Sequence, residues 1–244
     1  MDLNADLGEG STTDRDLLAV VTSASIACGS HAGDPLTMVQ TARMAAGHGV
    51  SVGAHPSYPD REGFGRRPLS LHPDDLFATI VEQVVAMVSA ATSAGTHVRF
   101  VKPHGALYNQ AAAEPSVAEP VVRAAAELGL PLLCPHGSQM QRLASASGVG
   151  CYTEAFADRA YHPDGSLAPR GWPGAVLHDP AAVARQAIRL AVHGEVVASD
   201  GSVVPVMADS LCLHGDTPGA VHLARSVRRT LEDAGVALRS FLPG

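Results

Sequence analysis

The chain has 244 residues, 46% of them hydrophobic, and a formal net charge of −7. This length is enough to bury a large core, and we expect a single domain over residues 1–244. The acidic balance and the lack of basic clusters interleaved with aromatics exclude an electrostatic surface for nucleic acid. The apolar runs are short and interrupted, so we expect no segment of the ~20 residues that would cross a membrane.

The N-terminus and the cysteines both favour a cytoplasmic location. Asp2 and Asp6 lie where a secretory signal would carry positive charge followed by an apolar segment. The cysteines are widely spaced and form no C-x-x-C pair, so no zinc finger or dithiol redox centre is predicted. We expect four reduced, structural thiols, at Cys28, Cys134, Cys151 and Cys212.

Short apolar or β-branched segments alternate with segments of helical period along the whole chain. The predicted strands are residues 3–7, 24–28, 50–54, 98–101, 130–134, 150–155 and 203–208. Regular alternation of strand and helix predicts parallel strands, and about 250 residues with seven or eight such units is the size of a TIM-like (β/α) barrel. An open doubly wound sheet is the alternative, because periodicity does not report closure.

Helix starts are indicated by Pro at the first position, at Pro35 after Asp34, at Pro73, at Pro180, and at Pro218 after Thr217. One face of the helix after Pro73 is apolar at spacings of three and four: Leu76, Ile80, Val84, Met87 and Ala91. Two polar segments between elements, residues 56–70 and 158–178, are long enough to predict functional loops or lids.

Nearly every predicted strand ends in small and ionisable residues, and in a barrel these ends share the C-terminal rim where active sites lie. His31, His55, His104 and His214 occupy equivalent strand-end positions, which favours a functional role over a structural one. Asp34 is equally well explained as a helix cap. Five other histidines fall in helices or at their ends and are predicted to be surface residues: His48, His72, His97, His193 and His222.

Lys102 is the only lysine among 17 basic side chains and directly follows a buried-strand pattern, so we expect it to bind a carboxylate or phosphate. Arg159, in the second long segment, is a further candidate for anion recognition. Neither G-x-x-x-x-G-K-[ST] nor G-x-G-x-x-G occurs, so no phosphate-binding loop is predicted. Asp6, His31 and His55 could together hold a metal ion, although their spacing matches no known zinc signature.

Six segments in order carry a family resemblance: DLNADLGEG, IACGSHAGDP, GAHPSYPDREGFGR, VKPHGALYN, EAFADRAYHPDGSLAPR and LCLHGD. Together they resemble the LamB/YcsF family, from residue 2 to about residue 219. The resemblance implies a barrel of the glycoside hydrolase/deacetylase type. It also implies ATP-driven hydrolysis of 5-oxoproline to glutamate, shared with two partner subunits, B and C, with Mg²⁺ expected for the whole complex.

This resemblance suggests roles for the rim residues. Asp6 or Glu9 would position or deprotonate the attacking water, and His104 or His214 would protonate the departing ring nitrogen. Lys102, with Arg159, would hold the substrate carboxylate or the phosphoryl group. The substrate-binding residues are predicted to be Asn4, His31, His55, Tyr108, Asn109, Glu154, Asp158, Arg159 and Asp216. No metal ligand is assigned, and His31 and His55 keep both alternatives, substrate contact or a metal.

Two other functions fit the same pattern. A stand-alone metal-dependent deacetylase or amide hydrolase would use the same barrel and the same aspartates and histidines, but would not require ATP. A non-catalytic ligand-binding subunit would hold its ligand on the polar rim and show no turnover by itself.

Overall fold

The protein folds as a closed barrel of seven parallel strands surrounded by helices; the computed structural model describes residues 1–213 and 219–243. The barrel strands are β1 (Asp2–Leu7), β2 (Ser23–Ala27), β3 (Ser51–His55), β4 (Val98–Val101), β5 (Leu132–Pro135), β6 (Cys151–Phe156) and β9 (Ser210–Leu213). They pair in that order, and β9 pairs with both β6 and β1. This closure confirms the predicted barrel over the open sheet.

The last predicted strand, residues 203–208, is not part of the barrel. Its first residues form β8 (Val203–Pro205), which pairs antiparallel with β7 (Glu195–Val197) in a separate two-stranded sheet. Val203 is 53% exposed, whereas every residue of β9 is buried. The β-branched sequence of β8 suits a strand on any sheet, but the short run SLCL of β9 is the one that completes the barrel.

The helices are α1 (Asp14–Leu18), α2 (Pro35–Gly47), α3 (Pro73–Ser93), α4 (Gly105–Ala113), α5 (Pro115–Glu127), α6 (Gln139–Ser147), α7 (Pro180–Ile188) and α8 (Ala220–Asp233), with a π-helical turn at Arg189–His193. The starts predicted at Pro35, Pro73 and Pro180 are confirmed. Asp34 caps α2 by accepting from the amides of Leu36 and Thr37. Helix α8 begins at Ala220, and the start predicted at Thr217 and Pro218 lies outside the described residues.

Helix α3 buries the apolar face that its sequence predicts, against α5, α2 and strand β3. It is also 21 residues long and, by length and composition alone, apolar enough to cross a membrane, so the expectation that no segment reaches this length is wrong. Leu76, Ile80, Val84 and Met87 on its inner face are nevertheless buried within the protein, whereas Val85 and Val88 are 48% and 38% exposed. The helix is therefore accounted for as part of the core.

The barrel interior is polar along β1. Successive side chains of a strand point to opposite faces, and Leu3, Ala5 and Leu7 join the hydrophobic core around the barrel. Asp2, Asn4 and Asp6 instead contact side chains of other barrel strands. Barrel interiors of this type are usually filled by branched apolar residues. The polar side chains of β1 lead up the interior to the C-terminal rim, where the candidate site lies.

Candidate active site

The first part of the site surrounds Lys102, which follows β4 and is 2% exposed. Its ammonium nitrogen lies 2.8 Å from Oε1 of Glu154 and 2.9 Å from Oδ1 of Asp6, and it donates to Oδ1 of Asn4 at 3.2 Å. The Tyr108 hydroxyl donates to the second oxygen of Glu154 at 2.9 Å. We call Asn4, Asp6, Lys102, Tyr108 and Glu154 the lysine cluster.

The charges of the lysine cluster stabilise one another. Burial acts to lower the pKa of Lys102, but the Asp6 and Glu154 carboxylates outweigh it and hold the pKa well above its ordinary value. An ammonium has three N–H donors, and here Asp6, Asn4 and Glu154 surround it. Lys102 thus already contacts three polar side chains within the barrel, and its predicted role in binding a substrate anion stays a prediction.

The second part is a histidine cluster of Glu9, His31, His55 and His104. One ligand atom from each lies within 4.8 Å of the others, so the four residues could hold a metal ion. Oε1 of Glu9 is 3.0 Å from Nε2 of His31 and 3.3 Å from Nδ1 of His104. The rings of His31 and His104 stack at 3.8 Å between centroids. Three strand ends and the segment after β1 thus converge on one point.

Asp6 links the two clusters, because its Oδ2 lies 3.3 Å from Nε2 of His55 while its Oδ1 contacts Lys102. Burial acts to lower the pKa of His55, but Asp6 outweighs this effect and raises it above its ordinary value. Burial lowers the pKa of His31 to about 4 and also lowers that of His104. Burial acts to raise the pKa of Glu9, yet its contacts with His104 and His31 hold it well below its usual range.

The loop between β3 and α3, which contains the predicted segment 56–70, covers the histidine cluster. The carbonyl of Phe64 accepts from Nε2 of His104 at 2.9 Å, and the Phe64 ring lies 5.5 Å from that of His31. The carbonyl of Gly65 accepts from the amide of Ala106 at 2.9 Å. A side chain at Gly105 would have its Cβ 2.5 Å from this carbonyl, so glycine there permits the close approach.

A cavity of about 300 Å³ opens beside the histidine cluster, which suits a small ligand. Its lining includes Glu9, His31 and Phe64 together with residues at the start of α2 and Arg61 from the covering loop. One guanidinium nitrogen of Arg61 donates to the carbonyls of Gly29 and Gly33, at 2.8 and 2.9 Å. These two bonds hold the guanidinium at the cavity, where it is the cationic group of the lining.

The order and spacing of these residues match a known family. The family model described as "LamB/YcsF family" matches residues 1–243. The chain belongs to the LamB/YcsF family. Proteins named as the A subunit of 5-oxoprolinase are similar to it, at 51% identity in Streptomyces griseus, covering 99% of both chains, and at 48% in Methylococcus capsulatus, covering 100% of this chain and 98% of that protein.

Solved structures agree with this LamB/YcsF assignment. A lactam utilization protein from Thermus thermophilus superposes with a TM-score of 0.93 at 41% identity, over 98% of both chains. A family 4 carbohydrate esterase from Streptomyces lividans has a TM-score of 0.52 at 13% identity, over 98% of this chain and 90% of the other. The second likeness concerns the fold alone and agrees with the barrel type that the resemblance implied.

Most of the predicted site residues of this LamB/YcsF chain lie in the two clusters. Arg159 is buried, but its guanidinium donates to the carbonyls of Ala175 and Ala168 and so holds its own loop together. Asp158 is fully buried next to it. Asn109 is exposed on α4 and belongs to neither cluster. His214 and Asp216 lie outside the described residues, so their predicted roles stay predictions.

Two features of the site were not assigned from the sequence. Arg61 lies in the polar segment 56–70, and nothing in its spacing indicates that it lines a cavity. Glu9 was predicted as a catalytic carboxylate but not as a companion of three histidines. The metal set considered from the sequence, Asp6 with His31 and His55, differs from the group Glu9, His31, His55 and His104 that the structure brings together. Asp6 contacts His55 of this group through one oxygen, while its other oxygen contacts Lys102.

Proposed function

We propose that this chain is the A subunit of an ATP-dependent 5-oxoprolinase, which hydrolyses the lactam amide of 5-oxo-L-proline to L-glutamate while ATP is cleaved to ADP and phosphate. The observation that carries the proposal is the full-length relationship to proteins of that name, at 51% identity over 99% of both chains. The site supports it, because an open cleft lined by the Glu9 and Asp34 carboxylates, the His31 imidazole and the Arg61 guanidinium suits a small anionic amide.

The chemistry that the site must support follows from the stability of a five-membered lactam. Transfer of the γ-phosphoryl group of ATP to the lactam oxygen, with release of ADP, makes the carbonyl carbon electrophilic. One water then adds to this carbon and the C–N bond breaks, with a proton passing to the ring nitrogen. A second water displaces phosphate from the resulting acyl phosphate, leaving glutamate. Anion recognition, water activation and proton transfer are therefore required.

We assign anion recognition to Arg61 and water activation to Asp6. Arg61 presents its guanidinium to the cavity and can pair with a carboxylate in two parallel hydrogen bonds. Lys102 fixes one oxygen of Asp6, so the second oxygen is held toward the histidine cluster. His104 and His214 are the predicted proton donors to the ring nitrogen, and Glu9 orients the imidazoles that contact it.

ATP with Mg²⁺ and the two partner subunits, B and C, belong to this proposal. The sequence carries no phosphate-binding loop of a known type, which supports a nucleotide site built partly by a partner. An activity shared between chains also accounts for the naming of the relatives as one subunit of an enzyme. A cytoplasmic location is proposed with it, because all four cysteines are free thiols, as expected in a reducing compartment.

The test is release of glutamate and phosphate from 5-oxoproline by this chain alone and mixed with the B and C subunits, each with and without ATP. We expect glutamate only in the complete mixture with ATP, in equal amount to phosphate. An Asp6→Asn chain should leave the mixture inactive, whereas an Asp16→Asn chain, altered at an exposed carboxylate, should restore full activity. Glutamate release by the chain alone without ATP would instead support a stand-alone amide hydrolase.

A further inference from the structure

The two histidines at the centre of the histidine cluster are fixed by backbone carbonyls. Nδ1 of His55 lies 2.7 Å from the carbonyl of Lys102, and Nε2 of His104 lies 2.9 Å from the carbonyl of Phe64. A carbonyl oxygen can only accept, so both of these ring nitrogens carry hydrogen. In the neutral rings the opposite nitrogens, Nε2 of His55 and Nδ1 of His104, are therefore bare lone pairs.

These lone pairs point at each other and at a carboxylate. Nε2 of His55 is 3.0 Å from Nδ1 of His104, and Oε1 of Glu9 is 3.3 Å from the latter and 4.0 Å from the former. Oδ2 of Asp6 is a fourth electron-rich atom, 3.3 Å from Nε2 of His55. Such atoms repel one another at these distances unless a proton or a metal cation lies between them. The neighbouring His31 also has a buried Nδ1 without a hydrogen-bond partner among the described residues.

The separations fit the ligand shell of a small divalent ion. Zn²⁺ binds imidazole nitrogen and carboxylate oxygen at about 2.0–2.2 Å, which places neighbouring ligands of a tetrahedron about 3.3–3.5 Å apart. The three distances among Glu9, His55 and His104 lie on both sides of that value, and one ring nitrogen of His31 lies within 4.8 Å of the ligand atoms of the other three residues. Imidazoles with one carboxylate are a donor set for zinc rather than for Mg²⁺ or Ca²⁺.

The surroundings also match those of a metal centre. Ligating histidines usually donate their other N–H to a carbonyl or carboxylate, which fixes the tautomer and the ring orientation. Both central histidines do so here. Phe64, which supplies one of the carbonyls, has a φ of 55°, a left-handed conformation that is unfavourable for a non-glycine residue and is concentrated at functional sites.

We infer that Glu9, His55 and His104, with His31 as the fourth donor, form a binding site for one Zn²⁺ ion at the C-terminal rim of the barrel. As an account of catalysis this rests on the proposed function, since a bound Zn²⁺ supplies Lewis acid chemistry beside the cavity. If His104 binds the metal ion, His214 is the remaining predicted proton donor to the lactam nitrogen of the substrate. Asp6, which is not a ligand, keeps its role at the attacking water.

The binding experiment uses the full chain without an affinity tag, stripped with a chelator, and requires neither 5-oxoproline nor partner subunits. Zn²⁺ is titrated against a chromophoric competitor, and Co²⁺ is added separately as an optical probe. We expect one ion per chain and intense visible absorption from Co²⁺ in a tetrahedral site. A reconstituted enzyme that releases no glutamate would not change the outcome of this Zn²⁺ titration. The experiments therefore distinguish a failure of the zinc site from a failure of the proposed 5-oxoprolinase function.

Glu9→Gln and His104→Gln should each weaken Zn²⁺ binding by more than about a hundredfold and abolish the Co²⁺ absorption. His97→Gln, which alters an exposed histidine, should bind as the wild type does. Far-UV circular dichroism of the stripped proteins checks that each variant is folded. If His104→Gln does not fold, the isosteric Glu9→Gln variant alone tests the site. Absence of stoichiometric Zn²⁺ binding by the wild type, or equal binding by Glu9→Gln, would overturn the site and favour a proton shared between His55 and His104.

Discussion

The ammonium nitrogen of Lys102 lies 2.9 Å from Oδ1 of Asp6, inside a barrel where the lysine is 2% exposed. This contact joins the buried lysine cluster to the histidine cluster, because the other oxygen of Asp6 faces His55. Asp6 and Glu154 share the ammonium of Lys102, so each of these two carboxylates depends on that cation. Removing one member therefore affects both stability and the site.

Lys102→Met should lower the free energy of unfolding by about 3–5 kcal/mol, because it leaves Asp6 and Glu154 buried without their cation. Urea unfolding at neutral pH measures the loss. Lys102→Met combined with Glu154→Gln should be less destabilised than the sum of the two single variants, since the second change removes a carboxylate that the first leaves unpaired. A loss below about 1 kcal/mol for Lys102→Met would show that the cluster is solvated.

Tyr108→Phe removes the hydroxyl that donates to Glu154 at 2.9 Å while keeping the ring. The carboxylate oxygen then lacks a buried donor, so we expect a loss of about 1–3 kcal/mol in the free energy of unfolding. Tyr152→Phe is the matched control, because the Tyr152 side chain is only half-buried, and it should change stability by less than about 0.5 kcal/mol. Equal effects of the two substitutions in urea unfolding would contradict the assigned hydrogen bond.

Arg61→Ala should raise KM for 5-oxoproline in the reconstituted enzyme roughly 10- to 100-fold and change kcat little, as expected for loss of charge-assisted hydrogen bonds to a bound carboxylate. The KM of Arg61→Lys should lie between those of the wild type and Arg61→Ala, since lysine keeps the charge but not the paired donors. The control is Arg43→Ala, at an exposed position on α2. An unchanged KM for Arg61→Ala would remove the arginine from substrate recognition.

The barrel could be predicted because strand and helix periods alternate so regularly, and because Pro35, Pro73 and Pro180 mark helix starts by local chemistry alone. The seventh strand could not, since Val203–Pro205 is the better β-former and Ser210–Leu213 owes its place to barrel closure. Closure is a property of the whole sheet and leaves no periodic signal in four residues.

The rim residues could be predicted as a group, because strand ends of a barrel meet on one face. Their partners could not be predicted, because hydrogen-bond direction depends on distances of a few tenths of an ångström. The sequence around Lys102 does not indicate whether its ammonium contacts a ligand or a carboxylate of the protein. In the structure it lies beside Glu154. The part played by Arg61 likewise depends on how a long loop folds back over β2 and α2, which no local pattern encodes.

Asp2 gives the stability of this protein a pH dependence of its own. It is fully buried at the N-terminal end of the barrel, where Thr22, Ser23 and Ser210 donate to its carboxylate. Burial outweighs these hydrogen bonds and raises the pKa of Asp2 from 3.8 to about 6. The folded protein therefore retains a proton that the unfolded chain releases between about pH 4 and pH 6.

The contribution of Asp2 to the free energy of unfolding is fully present below the pKa of Asp2 in the unfolded chain. It is lost as the pH rises through the pKa of Asp2 in the folded protein. A shift of this size corresponds to about 3 kcal/mol. Asp2→Asn cannot ionise, so the stability of the wild type relative to this variant should fall by about 2–2.5 kcal/mol between pH 4 and pH 7 in urea unfolding. Asp16→Asn, at an exposed carboxylate, should show no such fall. A constant difference between wild type and Asp2→Asn across this range would mean that Asp2 titrates normally in the folded barrel.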